Sequence, residues 1–143
     1  MDWDSVKDAP NFNSALDNYE TEAKVASVYD GDSIRVIFPL NGTLYKWNCR
    51  LYGIDTPEIR TRNQKEKDLG LKIRDILREK ILRKVVKLKC HELDKYGRLM
   101  IDVFYNDENI NKWLIDKGYA FSYDGGKKKS WGEYLDENPS PLA

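Results

Sequence analysis

Ser33-Ile34-Arg35-Val36-Ile37-Phe38, then Asn41-Gly42, then Thr43 through Ile54, is the stretch that decides the fold. Ile34, Val36 and Phe38 alternate with Ser33, Arg35 and Ile37, the period-two pattern of a strand with one face buried. Asn-Gly between two such runs is the chemistry of a tight hairpin turn, because both central positions need a positive φ. The run from Thr43 carries Leu44, Tyr45, Trp47, Leu51, Tyr52 and Ile54 and reads as the returning strand. Upstream, Ala23 to Tyr29 is rich in small and β-branched residues, and Asp30-Gly31-Asp32 is a turn. Residues 23–54 are therefore expected to form a three-stranded meander.

Downstream the period changes. Between Asn63 and Leu82, Leu69, Ile73, Ile76, Leu77 and Ile81 fall on one face of a helix, with Lys and Arg on the others. Val85 to Cys90 reads as a strand, Asp94-Lys95-Tyr96-Gly97-Arg98 as a turn and Leu99 to Tyr105 as the strand returning from it. Asn109 to Lys117 reads as a short helix stopped at Gly118. The order β-β-β-α-β-β-α predicts an α+β protein. Its centre is a five-stranded OB-fold β-barrel, with a helix between strands three and four and one or two C-terminal helices. Residues 1–21 are expected to be an N-terminal arm, 22–136 the folded domain and 137–143 a tail.

The chain has 143 residues, enough for one domain with a real core. Two cysteines, Cys49 and Cys90, exclude a disulfide framework and a four-thiolate zinc site, leaving at most one bridge. No apolar run approaches the roughly 18 residues of a membrane span. Met1-Asp2-Trp3-Asp4 lacks the basic and apolar regions of a signal peptide, so an intracellular protein is expected. The formal net charge of zero is a cancellation: residues 1–58 carry −5, residues 59–100 carry +8 and residues 101–143 carry −3. A segment that basic keeps a polyanionic partner open, because patches bind rather than averages.

Four carboxylates cluster at two turns, Asp30 and Asp32 in the first, Asp55 and Glu58 in Asp55-Thr56-Pro57-Glu58. The meander puts the start of its second strand and the end of its third at one edge, bringing Asp32 near Asp55. Neighbouring carboxylates need a cation, a shared proton or water. Oxygen ligands alone suit a hard ion such as Ca²⁺ rather than zinc. Taken singly, Asp-Gly-Asp is ordinary turn chemistry and Asp-Thr-Pro-Glu an ordinary helix start. Arg50 and Arg98 stand near these acids, and two guanidinium forks beside a carboxylate–metal site are what phosphoryl transfer uses. His91 and Cys49 read as structural residues, and Lys127-Lys128-Lys129 as a solvated run or a phosphate track.

Val28-Tyr29-Asp30-Gly31-Asp32-Ser33, Arg50-Leu51-Tyr52-Gly53-Ile54-Asp55-Thr56-Pro57-Glu58 and Asp94-Lys95-Tyr96-Gly97-Arg98 together resemble the staphylococcal nuclease (thermonuclease) family. The resemblance covers Glu22 to Tyr123, about seven-tenths of the chain. It implies an OB barrel and Ca²⁺-dependent hydrolysis of phosphodiester bonds in single-stranded DNA or RNA. The 5′-oxygen would leave and the product would keep a 3′-phosphate. By motif position, Asp32, Asp55 and the backbone carbonyl of Thr56 would bind Ca²⁺, with Asp30 just outside. Glu58 would be the general base or position the water, and Arg50 and Arg98 would clamp the scissile phosphate. Lys95 and Tyr96 would touch a neighbouring phosphate, and Tyr123 would contact substrate. The partner implied is single-stranded nucleic acid, with no membrane and a monomeric protein. Ser33 stands where the family usually has Thr, the loop after Glu58 is short, and the chain after Tyr123 resembles intracellular or viral relatives. A non-catalytic module binding nucleic acid or protein is the alternative, and a metal-stabilised domain without nucleic acid a third. The presence of all five of Asp32, Asp55, Glu58, Arg50 and Arg98 favours the nuclease.

Overall fold

The computed structural model describes residues 1–139. Its centre is a closed barrel of five strands: β1 (Glu20–Val28), β2 (Ser33–Leu40), β3 (Thr43–Leu51), β5 (Val85–Leu93) and β6 (Leu99–Tyr105). Short strands β4 (Ile54–Asp55), β7 (Glu108–Asn109) and β8 (Phe121–Ser122) sit at its margins. Helix α1 (Gln64–Ile81) lies between β4 and β5, and α2 (Ile110–Asp116) and α3 (Trp131–Glu137) are the two C-terminal helices. The sheet runs β3-β2-β1-β5-β6-β7, and a parallel contact between β3 and β6 closes it, with Cys49 opposite Leu99 and Leu51 opposite Ile101. This is the expected α+β OB-type barrel.

Local chemistry sets the registers. Asn41 and Gly42 both have positive φ, 51° and 81°, so β2 and β3 join through a two-residue turn and pair from Leu40–Thr43 to Ser33–Arg50. The expected single strand from Thr43 to Ile54 is broken at Tyr52-Gly53, because Gly53 takes φ 78°. Beyond that break, β4 leaves the barrel and pairs with β8, Asp55 opposite Phe121. The Asn63 side chain caps α1 by accepting the Glu66 N–H at 3.0 Å. Leu69, Ile73, Leu77 and Ile81 form the buried stripe of α1, and Ile76 lies at its edge. Asn109 caps α2 and Ser130 caps α3 in the same way.

The barrel takes up the chain at Glu20, so the last two residues of the expected arm are strand. Within the arm, Trp3 and Phe12 are 73% and 84% exposed, while Leu16 packs on the core. Cys49 and Cys90 are free and buried. Glu137 of the expected tail ends α3, and residues 140–143 lie outside the described residues. No helix among the described residues is long and apolar enough to cross a membrane.

Candidate active site

Two turns meet at the mouth of the barrel. In the β1–β2 turn, Asp30 Oδ1 accepts the Asp32 N–H at 3.0 Å, which holds the turn. The Asp32 carbonyl then accepts the Leu51 N–H at 2.8 Å, and its carboxylate Oδ2 accepts the Thr56 N–H at 3.2 Å. Asp32 thus joins its own turn to the end of β3 and to the segment after β4. Two glycines allow the close approach. A Cβ on Gly31 would lie 2.8 Å from Thr56 Cγ2 and 2.9 Å from Ile73 Cγ2. A Cβ on Gly70, inside α1, would lie 2.9 Å from the Pro57 carbonyl oxygen and 3.1 Å from that of Glu58. The helix therefore packs directly on the backbone that carries Glu58.

The result is a concentration of acid. Asp30, Asp32 and Asp55 are buried, and Glu58 lies at the rim. Burial, reinforced by the charge of Asp32, pushes the Asp30 carboxyl up to about 8. Burial also raises Asp55, against the opposing pull of Lys128. Partial burial of its carboxyl, and then the charge of Asp32, raises Glu58, while Lys128 again pulls the other way. Two cations partly offset the cluster. Arg50 Nη2 lies 3.6 Å from Asp32 Oδ2, with both side chains about nine-tenths buried. Lys128 Nζ lies 3.3 Å from Asp55 Oδ1.

These features fit a hard divalent cation. The donors are carboxylate and backbone oxygens, an ammonium already stands against Asp55, and Thr56 Oγ1 is buried without a hydrogen-bond partner. Among the described residues no three His, Cys, Asp or Glu side chains converge as a complete cage. A cation held here would take Asp32 and Asp55 with a backbone oxygen such as that of Thr56, and water for the remainder.

Arg98 follows Gly97, whose φ of 80° closes the β5–β6 turn. Asp94 organises that turn: one carboxylate oxygen accepts the N–H groups of Tyr96 and Arg98, each at 2.9 Å, and the other accepts Arg98 Nε at 2.8 Å. The guanidinium is thereby oriented with its remaining N–H groups free of Asp94. Glu58, Asp30 and Arg98 share a cleft of about 500 Å³. Asp55 and Tyr123 line a smaller one of about 240 Å³. The Tyr123 ring lies 5.6 Å from the Arg50 guanidinium and 5.5 Å from the Lys128 ammonium, and its N–H donates to the Gly53 carbonyl at 2.8 Å. Tyr96 is 72% exposed, its ring 5.7 Å from the Arg98 guanidinium and 5.2 Å from the Lys95 ammonium.

Asp30, Asp32, Arg50, Asp55, Thr56 and Glu58 are thus gathered by two turns, with Arg98 across the cleft and Tyr123 beside Arg50. Lys95 and Tyr96 stand outside this group, on the exposed turn. Sequence reasoning gave Asp94 no role, although an Asp four residues before an Arg across a Gly turn is a usable signal. It read Lys128 only as part of a lysine run, and nothing in the sequence indicates its contact with Asp55. His91 is remote from these roles: its Nε2 lies 2.8 Å from Asp102 Oδ2 and its ring stacks on Tyr52.

Residues 48–137 match the family model described as staphylococcal nuclease homologue, and the chain belongs to that family. It is similar to an uncharacterized protein of Methanocaldococcus jannaschii, 32% identical over 138 residues, covering 79% of this chain and 65% of that one. It is 26% identical to an uncharacterized endonuclease of Haemophilus influenzae over 139 residues, covering 88% of this chain and 73% of the relative. Against the thermonuclease of Staphylococcus hyicus it is 32% identical over 103 residues, covering 71% of this chain and 59% of the enzyme. The chain thus spans about two-thirds of the length of these relatives.

Proposed function

We propose that this protein is a divalent-cation-dependent nuclease, with Ca²⁺ the ion its oxygen donors suit best. It hydrolyses phosphodiester bonds in single-stranded DNA or RNA. The observation that carries the reading is the joining of the two acidic turns through Asp32. A cation-binding carboxylate pair, the buried Arg50 and the carboxylate of Glu58 then belong to one rigid unit facing Arg98. Membership of the family and the endonuclease and thermonuclease names of two relatives support it.

Asp32, Asp55 and the Thr56 carbonyl would hold the ion, and Asp30 fixes the turn that presents Asp32. A cation held there would polarise the phosphate and lower the pKa of a nearby water. Glu58 orients that water and takes its proton as it attacks phosphorus in line. Burial and neighbouring acids raise its carboxyl, the direction that makes it a better base. Arg50 and Arg98 bind the non-bridging oxygens and oppose the charge that develops in the five-coordinate state. The bond from phosphorus to the 5′-oxygen breaks, and that oxygen takes a proton from solvent, to which Glu58 returns the one it received. One product carries a 3′-phosphate and the other a 5′-hydroxyl. Lys95 and Tyr96 meet a neighbouring phosphate, and Tyr123 borders the reacting group beside Arg50.

The test incubates the protein with single-stranded DNA and RNA, in Ca²⁺ or in chelator. Cleavage in Ca²⁺ alone, lost in Glu58→Gln, Arg50→Ala and Arg98→Ala, supports the reading. Binding of single strands with no cation-dependent cleavage would instead make the protein a binding module.

A further inference from the structure

The cleft that holds Glu58 and Arg98 continues away from the carboxylates, and two further arginines line it, Arg35 of β2 and Arg78 of α1. We propose that these two form a phosphate subsite for the polynucleotide on one side of the scissile bond, which makes the enzyme prefer longer single strands. The inference rests on the nuclease reading and extends it to residues that reading does not use.

The geometry comes from the β2–β3 ladder. Ser33 is paired with Arg50, and Arg35 with Asn48, so all four side chains project from the same face of the ladder. Two residues along a strand is about 7 Å, the order of one backbone step in an extended single strand. A strand whose reacting phosphate lies at Arg50 and Arg98 therefore brings its next phosphate toward Arg35 if it follows β2. Arg35 is exposed. Arg78 approaches from the opposite wall. Its Nε donates to the Val28 carbonyl at 3.1 Å, which anchors the guanidinium at the end of β1, and Nη1 lies 3.8 Å from Asp75. A guanidinium fixed through Nε keeps donors for an anion at little further entropic cost. The acids of this cleft, Asp30 and Glu58, belong to the catalytic cluster. Arg35 and Arg78 thus add two positive charges to the cleft beyond Arg98, the sign a polyanion needs.

The experiment uses thymidine oligomers of two and eight nucleotides, with Ca²⁺ and the full chain carrying Glu58→Gln to prevent turnover. Affinity is measured by calorimetry. Arg35→Ala and Arg78→Gln should each weaken the octamer about tenfold and change the dimer by less than about twofold. Each should also flatten the dependence of log affinity on log salt for the octamer by about 0.7. Arg35→Glu, at an exposed position that the fold tolerates, should weaken the octamer further still. Equal effects on both lengths, or an unchanged octamer, would overturn the subsite. Hydrolysis of the octamer by the unsubstituted protein is read in parallel. Cleavage without a length effect sinks the subsite alone, whereas neither cleavage nor binding sinks the nuclease reading with it.

Discussion

The Asp32 carboxylate accepts the backbone N–H of Thr56 at 3.2 Å, across 24 residues of sequence. Through that bond a proposed cation ligand also fixes the segment carrying a second ligand and, two residues on, the proposed base. Ligand geometry and base position are therefore one structural variable.

Gly70→Ala is the sharpest test of that coupling. In an isolated helix the change would gain about 1 kcal/mol from propensity. Here the new methyl meets two backbone carbonyl oxygens at 2.9 and 3.1 Å, and the Glu58 segment must move. Forced overpacking costs about 1–3 kcal/mol, so the expected net result is lower stability in a denaturant titration. The rate should fall by about tenfold or more, because a small misplacement of a catalytic group is costly.

Lys128 Nζ lies 3.3 Å from Asp55 Oδ1, so it would compete with a cation for that carboxylate. Lys128→Met should bind Ca²⁺ severalfold more tightly by calorimetry. In chelator the same variant should melt at a lower temperature, since Asp55 is buried and loses its nearest countercharge. An unchanged affinity would show that the Lys128–Asp55 pair does not guard the site.

Asp94 acts through Arg98. Asp94→Asn keeps an oxygen for the turn but weakens the charge-assisted bond to Nε. Activity should fall by roughly an order of magnitude, less than in Arg98→Ala, and the double variant should be no worse than Arg98→Ala alone. Additive losses would separate the two residues.

Without a divalent cation, stability should fall as pH rises. Asp30, Asp55 and Glu58 all have carboxyl groups raised above their ordinary values, Asp30 to about 8. Between the ordinary carboxylate range and pH 8 the folded chain then binds more protons than the unfolded one. Asp30 contributes a slope approaching about −1.4 kcal/mol per pH unit at most, and Glu58, exposed at the rim, contributes less because solvent screens it. Melting in chelator from pH 5 to pH 8 should show a declining midpoint, and Ca²⁺ should flatten the decline.

Much of this was readable in the residues. The alternation around Val36, the Asn41-Gly42 turn and the Leu69–Ile73–Leu77–Ile81 stripe determine the barrel and its helix, because local pattern and tertiary burial agree there. Asp32 and Asp55 were placed together by strand order alone. The break at Gly53 was hidden, since a Gly inside an apolar run is compatible with a continuous strand. The contact of Lys128 with Asp55 was hidden because it depends on the path of an irregular segment between β8 and α3. Gly31 and Gly70 carry no sequence signal for what their missing methyl groups would strike. Arg35 and Arg78 were legible as charges but not as neighbours, since they come together only when α1 packs across the end of β1.

The most direct measurement is end-group analysis of a labelled single strand cut by the purified protein with Ca²⁺ and with chelator. The result expected is fragments ending in 3′-phosphate, formed only with the cation and lost in Glu58→Gln while Ca²⁺ binding persists. Fragments formed equally in chelator, or undiminished in Glu58→Gln, would contradict the account.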